Sequence, residues 1–283
     1  MEKINFDKFQ YMLAPLEDFT DSAFRTLCYN HGCDLTFTEM ARVSSLCERN
    51  KSTTSKIEIP DETPTVIQLL ALNEDNLQKF LKEFVPQKGF SGFNINMGCP
   101  SPEIIKLGMG CALMKRITKA NNLIKVIKDN GHCASIKMRL GMNQFEKEKK
   151  SYLNLINSVD ADFFIVHGRH GKQTYKDMSD FTIFLECAKT GKNIIANGDI
   201  KTIHDREGLE SFGVKGVMVG RAAITNPAIF ELLKGKNKDK VAGIDKLQNE
   251  YLALADKHYT KEHARKNILK FMGNKHLFSL ANK

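Results

Sequence analysis

The sequence predicts an α/β fold, a (β/α)₈ TIM barrel followed by a small C-terminal helical domain. Short apolar segments recur eight times between residues 11 and 220, and longer segments with helical spacing of apolar residues separate them. Strict alternation of strand and helix is typical of a parallel sheet. Eight units is the number at which such a sheet closes into a barrel. An open, doubly wound sheet is the competing architecture.

The predicted strands are short and almost uniformly apolar, as expected for strands buried on both faces of a parallel sheet. In chain order they cover residues 11–14, 35–38, 65–70, 92–97, 134–139, 163–167, 193–197 and 216–220. The segments between them contain apolar helical faces. One such face is predicted from Leu77, Phe80 and Leu81, and a later one from Phe184 and Leu185.

The chain is expected to divide into a barrel, residues 1–235, and a short basic helical segment, residues 241–283. A lysine- and glycine-rich linker follows Phe230. Beyond it, one predicted helical face carries Leu247, Tyr251, Leu254 and Ala255, and another carries Ile268, Leu269 and Met272. This segment is too short to form an independent hydrophobic core.

Most of the positive charge lies at the C-terminal end. The net charge is +9, and residues 231–283 carry twelve Lys and Arg against six Asp and Glu, which leaves +6 there. A basic terminal segment suits a polyanion such as RNA. A solvated helical tail is the alternative, and charge alone does not separate the two.

Composition excludes several classes of protein. No stretch approaches ~18 consecutive apolar residues, so no transmembrane helix is expected. The first residues lack the pattern of a signal peptide, and we expect a cytoplasmic monomer that does not associate with membranes. The seven cysteines are irregularly spaced without a C-x-x-C pair, so no metal site is expected. In a reducing compartment most of them would be small buried side chains.

Nearly every predicted strand is followed by a polar residue suited to hydrogen bonding or proton transfer. In a barrel, these residues meet at the carboxyl ends of the strands, where active sites of this fold lie. They are Glu17, Glu39, Gln68, Asn96, Cys99, Lys137, Arg139, His167, Arg169, Asn197, Asp199 and Arg221. Lys137 lies inside an apolar strand, which favours a functional role over a solvated lysine. His167 could equally be a hydrogen-bonded core histidine.

The last two strands end in glycine turns that predict a phosphate site. Gly198 and Gly220 allow backbone N–H groups to approach a ligand closely. Each turn opens a predicted helix, whose N-terminus would favour an anion, and the loops after strands 7 and 8 are the usual phosphate site of the fold. Arg221 beside Gly220 favours phosphate binding over ordinary helix capping.

Cys99 lies on a tight turn, within Asn94–Met114, that ends the fourth predicted strand. Pro100 and Pro102 prevent the strand from continuing. The thiol either fills space there or is a positioned acid or nucleophile. Cys111 lies near a second glycine turn and is the other candidate thiol.

The order and spacing of several motifs resemble the tRNA-dihydrouridine synthase family. The motifs are LAPLEDFTDSAFR (13–25), FTEM (37–40), the 94–114 segment with its GCP, IKMRLG (136–141), VHGR (166–169), ANGDI (196–200) and GVMVGRAAITNPAIF (216–230). The resemblance covers residues 11–230. It implies an FMN-binding barrel that reduces the C5–C6 bond of selected uridines in tRNA and uses NADPH or NADH to reduce the flavin again.

The same resemblance assigns roles to individual residues. Cys99 matches the catalytic acid, which would protonate C5 after hydride reaches C6 from the reduced flavin; thiols remain mostly protonated at neutral pH and can donate. The positions that match cofactor-binding residues are Pro15, Leu16, Glu17, Gln68, Lys137, His167, Asn197, Gly198, Asp199, Gly220 and Arg221. Asn96, Arg139 and Arg169 are expected to contact the substrate, the two arginines as basic residues of the rim or else as members of structural ion pairs.

Two other functions compete with this one. The first is an FMN-dependent reductase of free pyrimidines that resembles dihydroorotate dehydrogenase, against which the basic C-terminal segment argues. The second is a non-catalytic RNA-binding barrel, against which the retention of Cys99, Lys137 and His167 argues.

Overall fold

Eight parallel strands and one additional two-residue strand form a single sheet that curls into a barrel. The structure is a computed structural model that describes residues 4–237, 239 and 241–274. The strands are β1 (Gln10–Leu13), β2 (Thr36–Phe37), β3 (Ala41–Arg42), β4 (Thr65–Leu70), β5 (Phe90–Met97), β6 (Ala134–Met138), β7 (Phe163–His167), β8 (Ile194–Asn197) and β9 (Gly216–Val219). All eight predicted strands are found, and β3 is the one that the sequence did not predict.

The barrel closes between its first strands. Hydrogen-bonded neighbours run β1-β9-β8-β7-β6-β5-β4-β2, and β3 pairs with β4 further along the same strand. Between β1 and β2 the ring is completed by a parallel bridge from Met12 to Leu35, with the N–H of Leu13 donating to the carbonyl of Leu35 at 3.0 Å. The open-sheet alternative is therefore excluded, and the predicted barrel is confirmed.

Helices connect the strands. They are α1 (Ser22–Asn30), α2 (Val43–Cys47), α3 (Lys51–Lys56), α4 (Glu74–Glu83), α5 (Pro102–Lys106), a 3₁₀ helix (Gly110–Lys115), α6 (Ile117–Asp129), α7 (Gln144–Glu148), α8 (Ser151–Ser158), α9 (Ile183–Ala188), α10 (Ile203–Ser211), α11 (Arg221–Thr225), α12 (Ile229–Leu233), α13 (Ile244–Lys257) and α14 (Glu262–Phe271). Most predicted helical faces are buried, among them Leu77, Phe80 and Leu81. The prediction for Leu185 is wrong, because α9 buries Ile183, Phe184 and Cys187 and leaves Leu185 exposed.

Apolar side chains pack in two layers. An inner cluster fills the barrel and includes Met12, Phe37, Phe163, Ile165 and Met218. A larger outer cluster lies between the sheet and the surrounding helices. The inner cluster leaves the carboxyl ends of β4 to β9 for polar side chains, which is where the site described below is built.

The C-terminal helices pack on the barrel and share its outer core. On α13, Leu247, Tyr251 and Ala255 are fully buried, and the hydroxyl of Tyr251 donates to the carboxylate of Asp21 at 2.9 Å, just before α1. Ile268 of α14 is buried in the same cluster. Residues 275–283 of the predicted basic segment lie outside the described residues. Within the part of the chain that is described, no helix is long and apolar enough to cross a membrane.

Candidate active site

A cleft of about 240 Å³ opens at the carboxyl ends of the strands, and it brings together all fifteen residues predicted for the site. They are Pro15, Leu16, Glu17, Gln68, Asn96, Cys99, Lys137, Arg139, His167, Arg169, Asn197, Gly198, Asp199, Gly220 and Arg221. The other lining residues are Ala14, Met40, Gly98, Pro100 and Tyr175. These residues lie at the ends of the strands or on the segments that follow them, distributed along more than 200 residues of sequence.

A chain of amide hydrogen bonds across β4, β5 and β6 forms the floor of the cleft. Gln68 Nε2 donates to Asn94 Oδ1 at 2.8 Å, and Asn94 Nδ2 donates to Ser135 Oγ at 2.8 Å. Asn96 Nδ2 in turn donates to Gln68 Oε1 at 2.9 Å. Each buried amide therefore has a partner, which fixes the orientation of Gln68 and Asn96.

The turn that carries Cys99 is held on two sides. Asn96 Oδ1 accepts the backbone N–H of Gly98 at 3.1 Å and that of Cys99 at 2.9 Å. The carbonyl oxygen of Cys99 accepts the N–H of Cys111 at 3.0 Å. Gly110, with φ of 58°, makes this contact possible, since a Cβ at that position would lie 2.5 Å from the Cys99 oxygen. The turn at Gly110 therefore supports the turn that carries Cys99.

The two candidate thiols occupy different environments. Cys99 is partly accessible and lines the cleft. Cys111 is fully buried, and its thiol donates to the carbonyl oxygen of Gly98 at 3.1 Å. Burial raises the pKa of Cys111 to about 12. Of the two, only Cys99 can meet a molecule in the cleft.

Lys137 and Asn197 face each other across the cleft wall. Lys137 Nζ donates to Asn197 Oδ1 at 3.1 Å, and Asn197 Nδ2 donates to the carbonyl of Met218 at 2.8 Å. Burial, assisted by the charge of nearby Arg139, lowers the pKa of Lys137 to about 8. Lys137 is thus a cation near neutral pH that loses its proton readily above pH 8, and it is suited to hold developing negative charge.

His167 is a neutral side chain. Burial lowers its pKa well below the usual value, and the charges of Lys137, Arg139 and Arg169 act in the same direction. Arg169 Nη1 lies 3.2 Å from His167 Nε2. Because a guanidinium can only donate, Nε2 is the acceptor and the ring proton lies on Nδ1. His167 therefore brings one N–H donor to the site and no positive charge.

Arg139 and Arg169 line the cleft, but neither projects from its rim as the sequence predicted. Arg169 is 1% exposed, and its guanidinium pairs with the carboxylate of Asp199 and the carbonyl of Asp177. Arg139 is also buried and donates to the carbonyls of His170 and Gln173 at 2.9 and 3.0 Å. Both arginines hold the loop after β7 in place, and Arg169 forms the structural ion pair that was the alternative interpretation.

The two glycine turns present free backbone donors. Within residues 4–237, no hydrogen bond uses the amide N–H groups of Gly198, Asp199, Gly220 or Arg221. Gly198 has φ of 117°, and a Cβ there would lie 2.4 Å from Ser179 Oγ. That hydroxyl is buried and has no hydrogen-bond partner among the described residues. Four free amides that line the cleft fit a phosphate group with its several acceptor oxygens.

The N-terminus of α10 is capped by side chains of the chain itself. Thr202 and Asp205 form a capping box at that end, and the Asp205 carboxylate also accepts the N–H of Lys201 at 3.0 Å. These contacts use the N–H groups of Lys201, Thr202 and Asp205. Helix α11 has only five residues, so the free donors are those of the glycine turns themselves.

Arg221 stands beside these amides with two partners. Its Nη2 donates to Asp199 Oδ1 at 2.7 Å, and its guanidinium lies 4.0 Å from the ring centre of Tyr175. Asp199 thereby bridges Arg221 and Arg169 and orients both. Sequence reasoning missed Tyr175 and Ser179, because both lie on the loop between β7 and α9 and nothing in their local pattern indicates the long-range contact.

A second ionic cluster lies at the edge of the cleft. Lys56 of α3 pairs with the carboxylate of Glu17, and its Nζ lies 3.8 Å from Glu39 Oε2. Burial and the neighbouring charge of Glu17 raise the pKa of Glu39 to about 7. Lys56 was not predicted as a site residue, since it comes from a short polar helix that no motif marks.

Comparison with known proteins places these features in one family. A family model described as Dihydrouridine synthase (Dus) matches residues 12–282. The chain is 31% identical over 241 residues to a protein of Helicobacter pylori strain J99 named "Probable tRNA-dihydrouridine synthase", covering 83% of this chain and 73% of that protein. It is 32% identical over 269 residues to "Probable tRNA-dihydrouridine synthase 2" of Bacillus subtilis strain 168, covering 90% and 80%.

Among solved structures, the barrel is similar to that of DHODH from Eimeria tenella. The TM-score is 0.53 at 12% sequence identity, over 94% of this chain and 85% of that one. At this level of identity the likeness concerns the fold.

Proposed function

The chain belongs to the dihydrouridine synthase family, and on that premise we propose that it reduces the C5–C6 double bond of uridines in tRNA. The reductant would be NADPH or NADH, acting through a bound FMN. The observation that carries this proposal is the position of Cys99, whose turn is fixed by Asn96 and Gly110 above a cleft of polar and cationic side chains.

The cleft has groups that fit FMN. The free amides of Gly198, Asp199, Gly220 and Arg221, with the Arg221 guanidinium, would hold the phosphate. Gln68 and Lys137, on the floor and wall, would hydrogen-bond the polar edge of the ring system. Leu16, beside Gly220, offers an apolar contact. When bound and reduced, FMN supplies the hydride that C6 receives.

The protein's own contribution to the reaction is a proton and a charge environment. Hydride addition at C6 leaves negative charge on the uracil ring and its C4 carbonyl, and C5 must then take a proton. Cys99 is the accessible thiol of the cleft and would donate that proton from Sγ. Lys137, a cation below about pH 8, would stabilise the developing charge. Neutral His167 would hold a uracil oxygen through an N–H group.

The choice of tRNA over a free pyrimidine rests on the basic C-terminal segment. Lys257, Lys261, Lys266 and Lys270 are exposed on and around α13 and α14. A polyanion would gain from these charges through counterion release, whereas a free pyrimidine would not.

A direct assay tests the proposed function. Protein reconstituted with FMN and supplied with NADPH is mixed with an unmodified tRNA transcript, and in parallel with free uridine and orotate. Dihydrouridine should form in the transcript, with little reduction of the free compounds. Mapping of tRNA from cells that lack the protein should show the same uridine unreduced. Reduction of free orotate or uracil with no change in tRNA would overturn the assignment in favour of a free-pyrimidine reductase.

A further inference from the structure

A second thiol lies directly behind Cys99, and the proposed reaction has no use for it. We propose that Cys99 and Cys111 form a disulfide bond when a hydroperoxide oxidises Cys99, which would turn the proton donor off reversibly. This inference goes beyond the proposed function, and its primary measurement does not depend on tRNA reduction.

The backbone geometry brings the two residues into range. The N–H of Cys111 donates to the carbonyl oxygen of Cys99 at 3.0 Å. The two Cα atoms are therefore at most about 7 Å apart, because the C=O and N–H groups add only about 4 Å to the length of this bond, and disulfides span Cα separations of about 4.4–6.8 Å.

Each cysteine side chain lies against the segment that carries the other. Cys111 Sγ is 3.1 Å from the carbonyl oxygen of Gly98. Because that oxygen belongs to the peptide joining Gly98 to Cys99, Cys111 Sγ lies within about 6 Å of the Cα of Cys99. A Cβ at Gly110, next to Cys111, would lie 3.2 Å from the Cβ of Cys99, so the Cys99 side chain packs over this segment. Rotation about χ1 of the two cysteines is the movement that the proposed bond requires.

Burial assigns the order of events. Cys99 borders the open cleft and can meet a peroxide. Cys111 is fully buried with its pKa raised to about 12, so it stays protonated and protected from the oxidant. Cys111 therefore acts as the resolving thiol, since it reaches only a sulfur that is already beside it.

The chemistry balances in two steps. The Cys99 thiolate attacks one oxygen of the hydroperoxide, an S–O bond forms as the O–O bond breaks, and the sulfur is oxidised by two electrons to a sulfenic acid. The departing oxygen takes a proton and leaves as water or an alcohol. Cys111 then gives up its proton and attacks the Cys99 sulfur, the S–O bond breaks, and hydroxide leaves as water with that proton.

Peptide mapping tests the disulfide directly. Trypsin cuts after Lys88, Lys106 and Lys115, so residues 89–106 and 107–115 each carry one of the two cysteines. After brief treatment with hydrogen peroxide and alkylation of free thiols, the full-length protein should yield these two peptides linked, two hydrogens lighter than their sum. Dithiothreitol should separate them and restore reduction of tRNA.

Matched variants distinguish a resolving thiol from a bystander. In Cys111→Ala, peroxide should carry Cys99 on to sulfinic acid, and activity lost in this way should not return with dithiothreitol. Cys133→Ala is the control, because Cys133 has a similarly raised pKa of about 12 but lies at the opposite end of the barrel, before β6. In Cys133→Ala, the two peptides linked through Cys99 and Cys111 should form as in the unaltered protein. Absence of the linked peptide in the unaltered protein, with Cys99 either unmodified or present as sulfinic acid, would overturn the proposal.

Discussion

The side-chain oxygen of Asn96 accepts the backbone N–H of Cys99 at 2.9 Å, while its amide nitrogen donates to Gln68. One residue near the end of β5 thus ties the turn of the thiol to the hydrogen-bonded floor of the cleft. Asn96 was predicted as a substrate contact. Its contacts within the protein make it a positioning residue for Cys99.

Removal of the Asn96 side chain should therefore impair proton transfer more than cofactor chemistry. Asn96→Ala leaves the N–H groups of Gly98 and Cys99 without an acceptor, and a thiol displaced by ~1 Å loses on the order of 10²-fold in rate. We expect this loss in tRNA reduction, with NADPH oxidation by the flavin nearly unchanged. Asn193→Ala, at the amino end of β8, is the control. A normal rate of tRNA reduction in Asn96→Ala would show that the turn at Cys99 keeps its position without the hydrogen bonds from the Asn96 side chain.

Lys137 should make stability depend on pH in a defined direction. Its pKa falls from 10.5 in the unfolded chain to about 8 in the fold, so the folded state is penalised below pH 8. The penalty disappears as pH rises to 10.5. Lys137→Met should thus stabilise the cofactor-free protein by about 1–3 kcal/mol at pH 7, with a smaller gain at pH 10. Urea unfolding measures the free energy of unfolding, with the exposed Lys189→Met as control. If Lys137→Met stabilises the protein equally at pH 7 and pH 10, the lowered pKa of Lys137 is contradicted.

Arg221 should decide how tightly the flavin is held. Its guanidinium lies beside four free amides and is oriented by Asp199 and Tyr175. Because charge-assisted bonds to a phosphate are worth about 1.5–3 kcal/mol, Arg221→Ala should weaken FMN binding by roughly 10- to 100-fold. Quenching of flavin fluorescence reports the affinity, and Arg49→Ala on the outer surface is the control. Unchanged affinity would place the phosphate elsewhere.

The exposed lysines of the C-terminal helices offer a test that leaves the fold intact. Truncation of this segment would remove Leu247 and Tyr251 from the core, so charge removal is the better experiment. Lys257→Gln with Lys261→Gln should weaken tRNA binding and reduce the slope of log K against log salt by about 0.7–0.9 for each lost phosphate contact. Lys189→Gln with Lys215→Gln, exposed on other faces of the barrel, is the control pair. If the slope for the Lys257 and Lys261 variant equals that of the unaltered protein, these two lysines are solvated and do not contact tRNA.

The barrel could be predicted from sequence because its signal is local and repeated. A buried parallel strand such as Phe163–His167 consists almost entirely of apolar residues. Few folds are compatible with eight such strands that alternate with helices. The two-residue strand Ala41–Arg42 carries no such signal, because only its pairing with β4 defines it. Leu185 was misplaced because α9 is rotated so that Ile183 and Cys187 face the core instead.

The residues that line the cleft could be predicted where they follow a strand, because the active site of a TIM barrel lies at the carboxyl ends of its strands. The contacts that orient those residues could not, since they join distant positions. Arg169 was expected at the rim, but Asp199, thirty residues later, draws its guanidinium inward. Tyr175 and Lys56 come from a loop and a short polar helix, and only the tertiary structure brings them to Arg221 and Glu17.

The most direct test of the account is the rate at which Cys99→Ala reduces tRNA in a single turnover. The enzyme is loaded with FMN, reduced with NADPH and mixed with an unmodified transcript, and dihydrouridine is measured over time. General acid catalysis contributes ~10²–10⁴-fold, so the variant should be slower by that factor while its flavin is reduced at the normal rate. Cys111→Ala should retain the rate of the unaltered protein. Dihydrouridine formation by Cys99→Ala at the unaltered rate would contradict the role of Cys99 as the proton donor.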